Sequence, residues 1–265
     1  MPINYTKMNS QGNDFIVIDI ATEVFEETHD NITKICSRAH IGCDQLLLIN
    51  TSNLENVACK IYNSDGTSAC QCGNGLRAIM LYLKIKFSIT KSTIKVCAKD
   101  YNAQIIGRNK ISVDFGKPIF LEDKDNNEDF APGYGGSVVD VGNKHFVILF
   151  SCIGLETSTI YPKDLDHHSE KLNKLQSKYN LTFILEGSMG NPVRIKVKER
   201  GAGWTKSCGS GAIAAAACSI GMGKSCGSPI IVEQDGGTLE VHFDDSESLK
   251  LVGPSEFEYD GVWDG

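Results

Sequence analysis

The sequence predicts a mixed α/β protein of the α+β class, built from two similar halves. Short segments rich in β-branched and aromatic residues dominate the chain, which is typical of strands. Fewer stretches have the composition of helices, and they lie between the strand segments. A weak internal repeat recurs once in each half, the kind of pattern that indicates duplicated architecture.

The predicted elements follow from these patterns in chain order. The strand candidates are Phe15–Ile20, Leu46–Ile49, Thr93–Cys97, Ile111–Phe115, Phe146–Phe150, Phe183–Leu185, Val193–Val197, Ile230–Glu233 and Leu239–Phe243. Asp235-Gly236-Gly237 between the last two is a good hairpin turn. The helix candidates are Asn31–Arg38, Asn74–Lys86, Ser169–Tyr179 and Gly211–Ile220. The polar stretch Lys124 to Glu128 is predicted to be a linker or an exposed loop.

Composition and charge narrow the class of protein. A chain of 265 residues has room for one large domain or two of ordinary size. The net charge of −7 and the lack of a basic run argue against a nucleic-acid partner. The segment Met1 to Phe15 is polar, and no apolar run approaches the ~18 residues that a membrane span needs. We therefore expect a cytoplasmic protein without a membrane partner.

Ten cysteines are an even number, which disulfide frameworks also have. A chain of this size without a signal peptide does not need such staples. Most of the cysteines are therefore predicted to be reduced, small core residues.

A five-residue motif carries the internal repeat. Gln71-Cys72-Gly73-Asn74-Gly75 returns as Ser207-Cys208-Gly209-Ser210-Gly211, and an apolar helical run follows each copy. Upstream, the segment that begins Gly12-Asn13-Asp14 returns as one that begins Gly142-Asn143-Lys144-His145. Asn13 precedes Cys72 by 72 − 13 = 59 positions, and Asn143 precedes Cys208 by 208 − 143 = 65.

Polar landmarks between these segments keep the same order. Asn63 precedes Cys72 by nine positions, and Glu199 precedes Cys208 by nine. Gln45 precedes Asn63 by 18, and Asn180 precedes Glu199 by 19. Matching spacing favours two half-molecules of one design, with their Cys-Gly loops facing each other across a cleft.

Such a pair of loops is suited to proton transfer. Backbone N–H groups of a glycine-rich turn at a helix N-terminus favour a bound anion. The same location lowers the pKa of a cysteine thiol from about 8.5 towards neutrality. With a substrate carboxylate held between the loops, a thiolate at Cys72 or Cys208 removes the α-proton and the other thiol returns one to the opposite face. This chemistry requires neither a metal nor pyridoxal phosphate, and it places the sulfurs roughly 6–7 Å apart, since each approaches the reacting carbon to ~3–3.5 Å.

Three other interpretations of the cysteines remain open. Cys70-x-Cys72 could begin a zinc or cluster site, although Cys208 has no second cysteine at ligand spacing. A single thiol working with His145 would suit acyl transfer but leaves the second loop without a role. A thiol redox switch that joins Cys72 to Cys208 is a non-enzymatic alternative.

From about Lys7 to Gly261, the motifs and their order along the chain resemble those of the diaminopimelate epimerase family. The matching segments are Gly12-Asn13-Asp14-Phe15, Asp44-Gln45, Asn63-Ser64-Asp65-Gly66, Cys72-Gly73-Asn74-Gly75, Gly142-Asn143, Glu199-Arg200-Gly201-Ala202-Gly203, Cys208-Gly209-Ser210-Gly211, Val252-Gly253-Pro254 and Tyr259-Asp260-Gly261. The resemblance implies two pseudo-symmetric domains, each a curled mixed sheet around a central helix. We expect one domain over 1–117, with 255–265 returning to it, and the other over 118–254.

The resemblance also implies an activity and a set of site residues. The activity is interconversion of L,L- and meso-diaminopimelate, a small amino acid, without a cofactor or metal, in lysine and peptidoglycan-precursor synthesis. Cys72 and Cys208 are the expected catalytic pair, and His145 and Glu199 are expected to tune the thiols. The expected substrate contacts are Asn13, Gln45, Asn63, Gly73, Asn74, Asn143, Asn180, Glu199, Arg200, Gly209 and Ser210. Arg200 suits the distal carboxylate, because a guanidinium binds a carboxylate bidentately. The oligomeric state stays open, a homodimer included.

Several positions depart from the family pattern and leave the substrate open. They are Asn9 and Ser10 in place of His-Gly, His40 in place of a glycine, Ser68 in place of an acidic residue, Lys144 in place of a proline, and Trp204 inside the second motif. A related racemase acting on histidine or lysine is therefore the alternative within this chemistry.

Overall fold

The computed structural model describes residues 2–121, 136–149, 169–185, 192–200, 202–223, 227–243 and 245–265. The chain divides into two compact units, one formed by Met1–Asp114 and Val252–Gly265 and the other by Phe115–Leu251. Each unit is a mixed sheet with one long helix packed on it, which confirms the predicted fold class. No helix in the described ranges is both long and apolar enough to cross a membrane.

The first unit contains nine complete strands and two helices among its described residues. The strands are β1 (Ile3–Ser10), β2 (Asn13–Asp19), β3 (Gln45–Asn50), β4 (Asn56–Asn63), β5 (Ser68–Ala69), β6 (Lys91–Val96), β7 (Lys99–Gly107), β8 (Lys110–Asp114) and β18 (Glu256–Trp263). The helices are α1 (His29–Cys36) and α2 (Gly73–Phe87).

The strands of the first unit pair in a fixed sequence. β1 lies antiparallel to β2 on one side and to β18 on the other. β2 pairs parallel with β3, β3 antiparallel with β4, and β4 parallel with β6. β6, β7 and β8 then follow as an antiparallel meander. Apolar side chains of β2 and β3 pack with α1 and Trp263 in one buried cluster, so the last strand contributes to the core of the first unit.

The second unit repeats this arrangement. Its strands are β9 (Ile119–Leu121), β10 (Gly136–Asp140), β11 (Lys144–Leu149), β12 (Asn180–Ile184), β13 (Val193–Glu199), β14 (Gly203–Thr205), β15 (Ile230–Gln234), β16 (Gly237–Phe243) and β17 (Leu249–Gly253), the last of which runs across the boundary between the units. Its helices are α3 (Ser169–Lys178) and α4 (Gly209–Gly221). β10–β11 are antiparallel, β11–β12 parallel, β12–β13 antiparallel and β13–β15 parallel, as β1–β2, β2–β3, β3–β4 and β4–β6 are.

The two long helices begin directly after the cysteines of the repeated motif. α2 packs against strands of the first unit, including β1, β7 and β8, and α4 packs against β11, β12 and β13 of the second. Every residue of α4 from Gly209 to Ser219 is buried. A helix that is apolar on all sides belongs in a core, and its small alanines allow close packing against the sheet.

The predicted elements agree with this structure apart from their ends. Each of the nine predicted strands overlaps a strand, and each of the four predicted helices overlaps a helix, with bounds that move by up to three residues. Gly211–Ile220, for example, is the interior of α4, which begins at Gly209. The predicted loop Lys124 to Glu128 and the end of the predicted strand at Phe150 lie outside the described residues.

Candidate active site

Cys72 caps the N-terminus of α2. Its backbone is extended, with φ −152° and ψ 105°, and its Sγ accepts the N–H of Gly75 at 3.3 Å. Asn13, the first residue of β2, directs its Nδ2 at the same sulfur over 3.9 Å. The half-buried thiol therefore lies where N–H dipoles favour a negative charge.

Gln45 and Asn63 are neighbours across β3 and β4. They occupy paired positions in the antiparallel register, and Gln45 Nε2 donates to Asn63 Oδ1 at 2.9 Å. Asn63 Nδ2 donates in turn to Thr67 Oγ1 at 3.0 Å. Gln45 Oε1 is buried and has no hydrogen-bond partner within the described part of the chain, so it is an acceptor available to a bound molecule.

An ionic cluster holds the ends of β2 and β3 together. Arg38 donates to both carboxylate oxygens of Asp14, at 2.6 and 2.7 Å, and to Asp44 at 2.8 Å. Lys7 also donates to Asp14. Burial alone would raise the pKa of Asp14, but hydrogen bonds from Arg38 and Lys7 hold it well below its ordinary value. The cluster fixes the position of Asn13, which directly precedes Asp14, and that of Gln45, which directly follows Asp44.

Cys208 caps α4 in the second unit, but its surroundings differ from those of Cys72. Only 5% of its surface is exposed, so it is more deeply buried than Cys72. Its Sγ lies 3.4 Å from Ser210 Oγ. Burial and the carboxylate of Glu199 raise the pKa of Cys208 well above its ordinary value, and hydrogen bonds from the Ser210 hydroxyl and the Gly211 N–H only partly oppose them. The structure therefore favours the neutral thiol at this position.

His145 reaches Cys208 through Ser210. The imidazole is fully buried, with Nε2 2.8 Å from Ser210 Oγ and Nδ1 2.8 Å from Thr182 Oγ1. Burial lowers the pKa of His145 to about 3, so the ring is neutral at physiological pH. It orients the serine hydroxyl beside the thiol and does not itself contribute a positive charge.

Glu199 and Asn180 complete the second cluster. Thr205 Oγ1 donates to Glu199 Oε1 at 2.7 Å, burial raises the pKa of Glu199, and its carboxylate also hydrogen-bonds the thiol of Cys208. Asn180 Oδ1 accepts the backbone N–H of Arg200 at 2.8 Å, and its Nδ2 lies 3.5 Å from His145 Nε2. Asn180 thus holds the backbone of Arg200, just after β13, and the imidazole in place.

The remaining predicted residues divide between the two units. Gly73 and Asn74 are buried in the first turn of α2, and Gly209 and Ser210 in the first turn of α4. The side chain of Arg200 is exposed, and Asn143 is half-buried just before β11. Gly201 lies outside the described residues. Asn13 thus contacts Cys72 in the first unit, and Glu199 and Ser210 contact Cys208 in the second.

The departures from the family pattern have distinct surroundings. Ser10 Oγ lies 3.1 Å from the carbonyl oxygen of Asn74 and 2.9 Å from Ser255 Oγ, so it ties β1 to the start of α2. Asn9 Oδ1 accepts the N–H of Gly12 at 2.9 Å.

The indole of Trp204 packs on Phe183 with a ring-centroid separation of 5.6 Å, and its Nε1 is buried without a partner among the described residues. His40, Ser68 and Lys144 are exposed.

Cys70 is bonded to Cys97 as a disulfide, a pairing that the sequence analysis did not predict. The other six cysteines that the structure describes are free thiols. A bonded Cys70 has no thiolate to offer a metal, so Cys70-x-Cys72 does not have the chemistry of a zinc ligand pair here.

The sequence analysis missed three residues that support the site. Thr182 and Thr205 position His145 and Glu199, and Arg77 contacts Asn74 from within α2. The one available signal was the charge of Arg77, which interrupts the apolar run after the first motif. The threonines lie in ordinary strand sequences, where their residue type is common.

Comparison with known proteins extends these observations. The sequence model of the family described as diaminopimelate epimerase matches residues 5–121 and 137–257. The diaminopimelate epimerase of Blochmanniella pennsylvanica is 32% identical over 98% of this chain and 98% of its own length. That of Xylella fastidiosa is 31% identical over 100% of this chain and 97% of its own.

Solved structures share the fold at lower identity. A predicted epimerase from Pseudomonas aeruginosa superposes with a TM-score of 0.73 at 14% identity, over 99% of both chains. A hydroxyproline epimerase from Agrobacterium vitis superposes with a TM-score of 0.71 at 12% identity, over 99% of this chain and 91% of its own.

Proposed function

The chain belongs to the diaminopimelate epimerase family, and on that basis we propose that it is an isomerase that interconverts L,L- and meso-diaminopimelate. The observation that carries the proposal is the pair of Cys-Gly helix starts with opposite chemical surroundings. Cys72 accepts an N–H at a helix N-terminus, and Cys208 is a buried thiol beside a carboxylate. One thiolate and one thiol are what a two-base epimerisation needs at rest.

The proposed reaction moves one proton on each face of the α-carbon. The Cys72 thiolate takes the α-proton, forming an S–H bond, while the electron pair of the broken C–H bond remains on the substrate. The Cys208 thiol then gives its proton to the opposite face, which forms a new C–H bond and leaves a thiolate at Cys208. The reverse reaction starts from this second protonation state. The proposed reaction uses no cofactor.

The substrate carboxylate next to the reacting carbon binds to the N–H groups of the two helix starts, at Gly73-Asn74 and Gly209-Ser210. These donors stabilise the charge that develops when the α-proton leaves. Arg200, whose side chain is exposed, binds the distal carboxylate. Asn13, Gln45, Asn63, Asn143, Asn180 and Glu199 supply or orient the remaining polar contacts. In this proposal the two sulfurs lie roughly 6–7 Å apart in the substrate complex.

The proposal extends to the setting of the enzyme. We expect it to act in the cytosol, where amino-acid precursors are made, and we expect the domains to follow the division 1–117 with 255–265, and 118–254. The oligomeric state stays open, a homodimer included, and sedimentation of the purified protein measures it.

The decisive experiment is incubation with amino acids in heavy water. We expect α-deuterium to enter diaminopimelate together with epimerisation, and neither event to occur with histidine or lysine. Cys72→Ser and Cys208→Ser should each abolish epimerisation, because the pair acts as a unit. Cys218→Ala, which removes a buried thiol from the same helix as Cys208, is the matched control and should retain activity.

Two results would redirect the proposal. Exchange of histidine or lysine in place of diaminopimelate would assign the chain to a racemase with another substrate. No exchange with any of the three, together with a reversible Cys72–Cys208 disulfide, would support a redox-switch protein instead.

A further inference from the structure

Arg77 is a fully buried arginine in α2, five positions after Cys72. Its Nε donates to the carbonyl oxygen of Pro254 at 3.1 Å. One terminal nitrogen donates to Asn74 Oδ1 at 2.9 Å and reaches Gln11 Oε1 at 3.4 Å. The other, Nη1, is buried and has no hydrogen-bond partner within the described part of the chain. None of these three acceptors is a carboxylate, so the buried cation is only partly compensated.

The fold itself does not require a cation at this position. Arg77 lies 77 − 72 = 5 positions after the first motif cysteine, and Ile213 lies 213 − 208 = 5 positions after the second. Ile213 is also buried, at 1% exposure, in the equivalent helix of the second unit. An apolar side chain therefore fills the equivalent place, and burial of a partly paired charge is expensive by comparison. This contrast favours a role for Arg77 beyond packing.

The charge of Arg77 acts on Cys72. Burial lowers the pKa of Arg77 to about 10, and the Cys72 thiolate opposes that change. Because the interaction between two charges is mutual, the guanidinium favours the thiolate form of Cys72. Cys59 of β4 also interacts with Cys72, and it is a buried thiol whose pKa burial raises, so it stays neutral. Asn13 of β2 faces the sulfur with an uncharged amide.

Arg77 also fixes the orientation of Asn74. Because Asn74 Oδ1 accepts from the guanidinium, the Nδ2 of the same carboxamide points away from it. Ser10 Oγ holds the main-chain carbonyl of Asn74 at 3.1 Å. In the second unit, Ser210 holds the position equivalent to Asn74. The neutral ring of His145, itself hydrogen-bonded to Thr182, supports the hydroxyl of Ser210. A cation thus supports one loop and a neutral side chain supports the other.

We infer that Arg77 is a positioning residue of the reaction, which holds Cys72 as the resting thiolate and turns the N–H donors of Asn74 towards a bound carboxylate. The inference rests on the proposed function only in its use of Cys72 as a base. The state of the thiol can be measured without turnover, so the two can fail separately.

The test is the pH dependence of Cys72 alkylation by iodoacetamide, read at that residue by mass spectrometry in the absence of substrate. In Arg77→Gln the midpoint should rise by about one pH unit, which slows alkylation near neutral pH up to about tenfold. Arg77→Lys keeps the charge and should keep the midpoint, while the loss of the hydrogen bond from Arg77 to Asn74 should raise KM. Tyr82→Phe, a buried change in the same helix, should leave both values unchanged.

Two outcomes would overturn the inference. One is a folded Arg77→Gln variant with the alkylation midpoint and KM of the original chain. The second outcome comes from a titration of the original chain, without any substitution at Arg77. If Arg77→Gln does not fold, the ultraviolet titration of thiolate in the original chain, minus that of Cys72→Ser, gives the midpoint directly. A value at or above the ordinary cysteine pKa of about 8.5 would contradict the inference, and one clearly below it would support it.

Discussion

At the scale of single residues, the two cysteines of one repeated motif have been given different neighbours. Cys72 has an N–H donor and a buried guanidinium, whereas Cys208 has a carboxylate and a neutral imidazole behind a serine. The motif itself was predictable, because Cys-Gly-x-Gly recurs in the sequence. The difference was not, since it depends on which side chains of distant strands pack behind each loop.

The buried imidazole of His145 leads to a prediction about pH. Its pKa is about 3 in the folded protein and 6.5 as the ordinary value, so between these two pH values the unfolded chain binds a proton that the folded chain does not. The free energy of unfolding therefore falls as the pH falls through this window, by up to ~1.4 kcal/mol per pH unit from this group. His145→Gln keeps a polar group but cannot titrate.

Urea unfolding at a series of pH values measures this effect. The stability of His145→Gln should fall less steeply than that of the original chain between about pH 6 and pH 4. Parallel curves would show that the imidazole is not held neutral by the fold.

At the scale of elements, strand register places the polar landmarks. Gln45 pairs with Asn63 across β3 and β4. The register of β12 and β13, in which Leu181 pairs with Lys198, brings Asn180 opposite Glu199. The similar spacing of Gln45 to Asn63 and of Asn180 to Glu199 in the sequence therefore reflects the antiparallel pairing of consecutive strands. This part of the arrangement could be predicted.

Other elements could not be predicted from composition. β4 buries alternate residues of a segment that is half polar, and β7 does the same with lysine, aspartate and asparagine among its residues. Their stability comes from pairing with β3, β6 and β8, which a local pattern does not reveal.

Gly211 at the start of α4 leads to a prediction about close approach. A Cβ at this position would lie 2.8 Å from Val197 Cγ2 and 3.3 Å from Thr182 Oγ1, so a side chain does not fit. Gly211→Ala should lower the free energy of unfolding by roughly 1–3 kcal/mol and reduce activity, because the loop that carries Cys208 must move.

The matched variants test whether crowding at Gly211 causes the loss. Val197→Ala combined with Gly211→Ala should recover part of the lost stability, since it removes the nearest atom. Gly227→Ala, where no atom of the described residues lies within 4 Å of the new Cβ, should be nearly neutral. Equal losses for Gly211→Ala and Gly227→Ala would contradict the explanation.

At the scale of the whole molecule, the first unit is closed by the strand that follows the second. β18 pairs with β1 from Ile3↔Trp263 to Asn9↔Glu256. Trp263 packs on Phe25 with a ring-centroid separation of 5.7 Å and is 8% exposed. The return of the chain was predictable only through resemblance, because no local feature of Glu256–Trp263 specifies β1 as its partner.

Trp263 therefore tests the contribution of this strand. Trp263→Ala should cost about 3–5 kcal/mol of stability, which is typical of a buried tryptophan. Val262→Ala, at a neighbouring side chain that is 56% exposed, should change stability by less than about 0.5 kcal/mol. Denaturant unfolding measures both, and similar small losses would show that β18 contributes little to the core.

The position of β18 also has a consequence for synthesis on the ribosome. The second unit is a continuous stretch, Phe115–Leu251, whereas the first needs residues from Val252 onward. As the chain emerges, β1 has β2 beside it, but its other edge stays unpaired until the whole second unit has been translated. The later half of the chain can therefore complete its own fold first, and the half that is made first waits longest with an open strand edge, a state in which pairing with another nascent chain is a hazard.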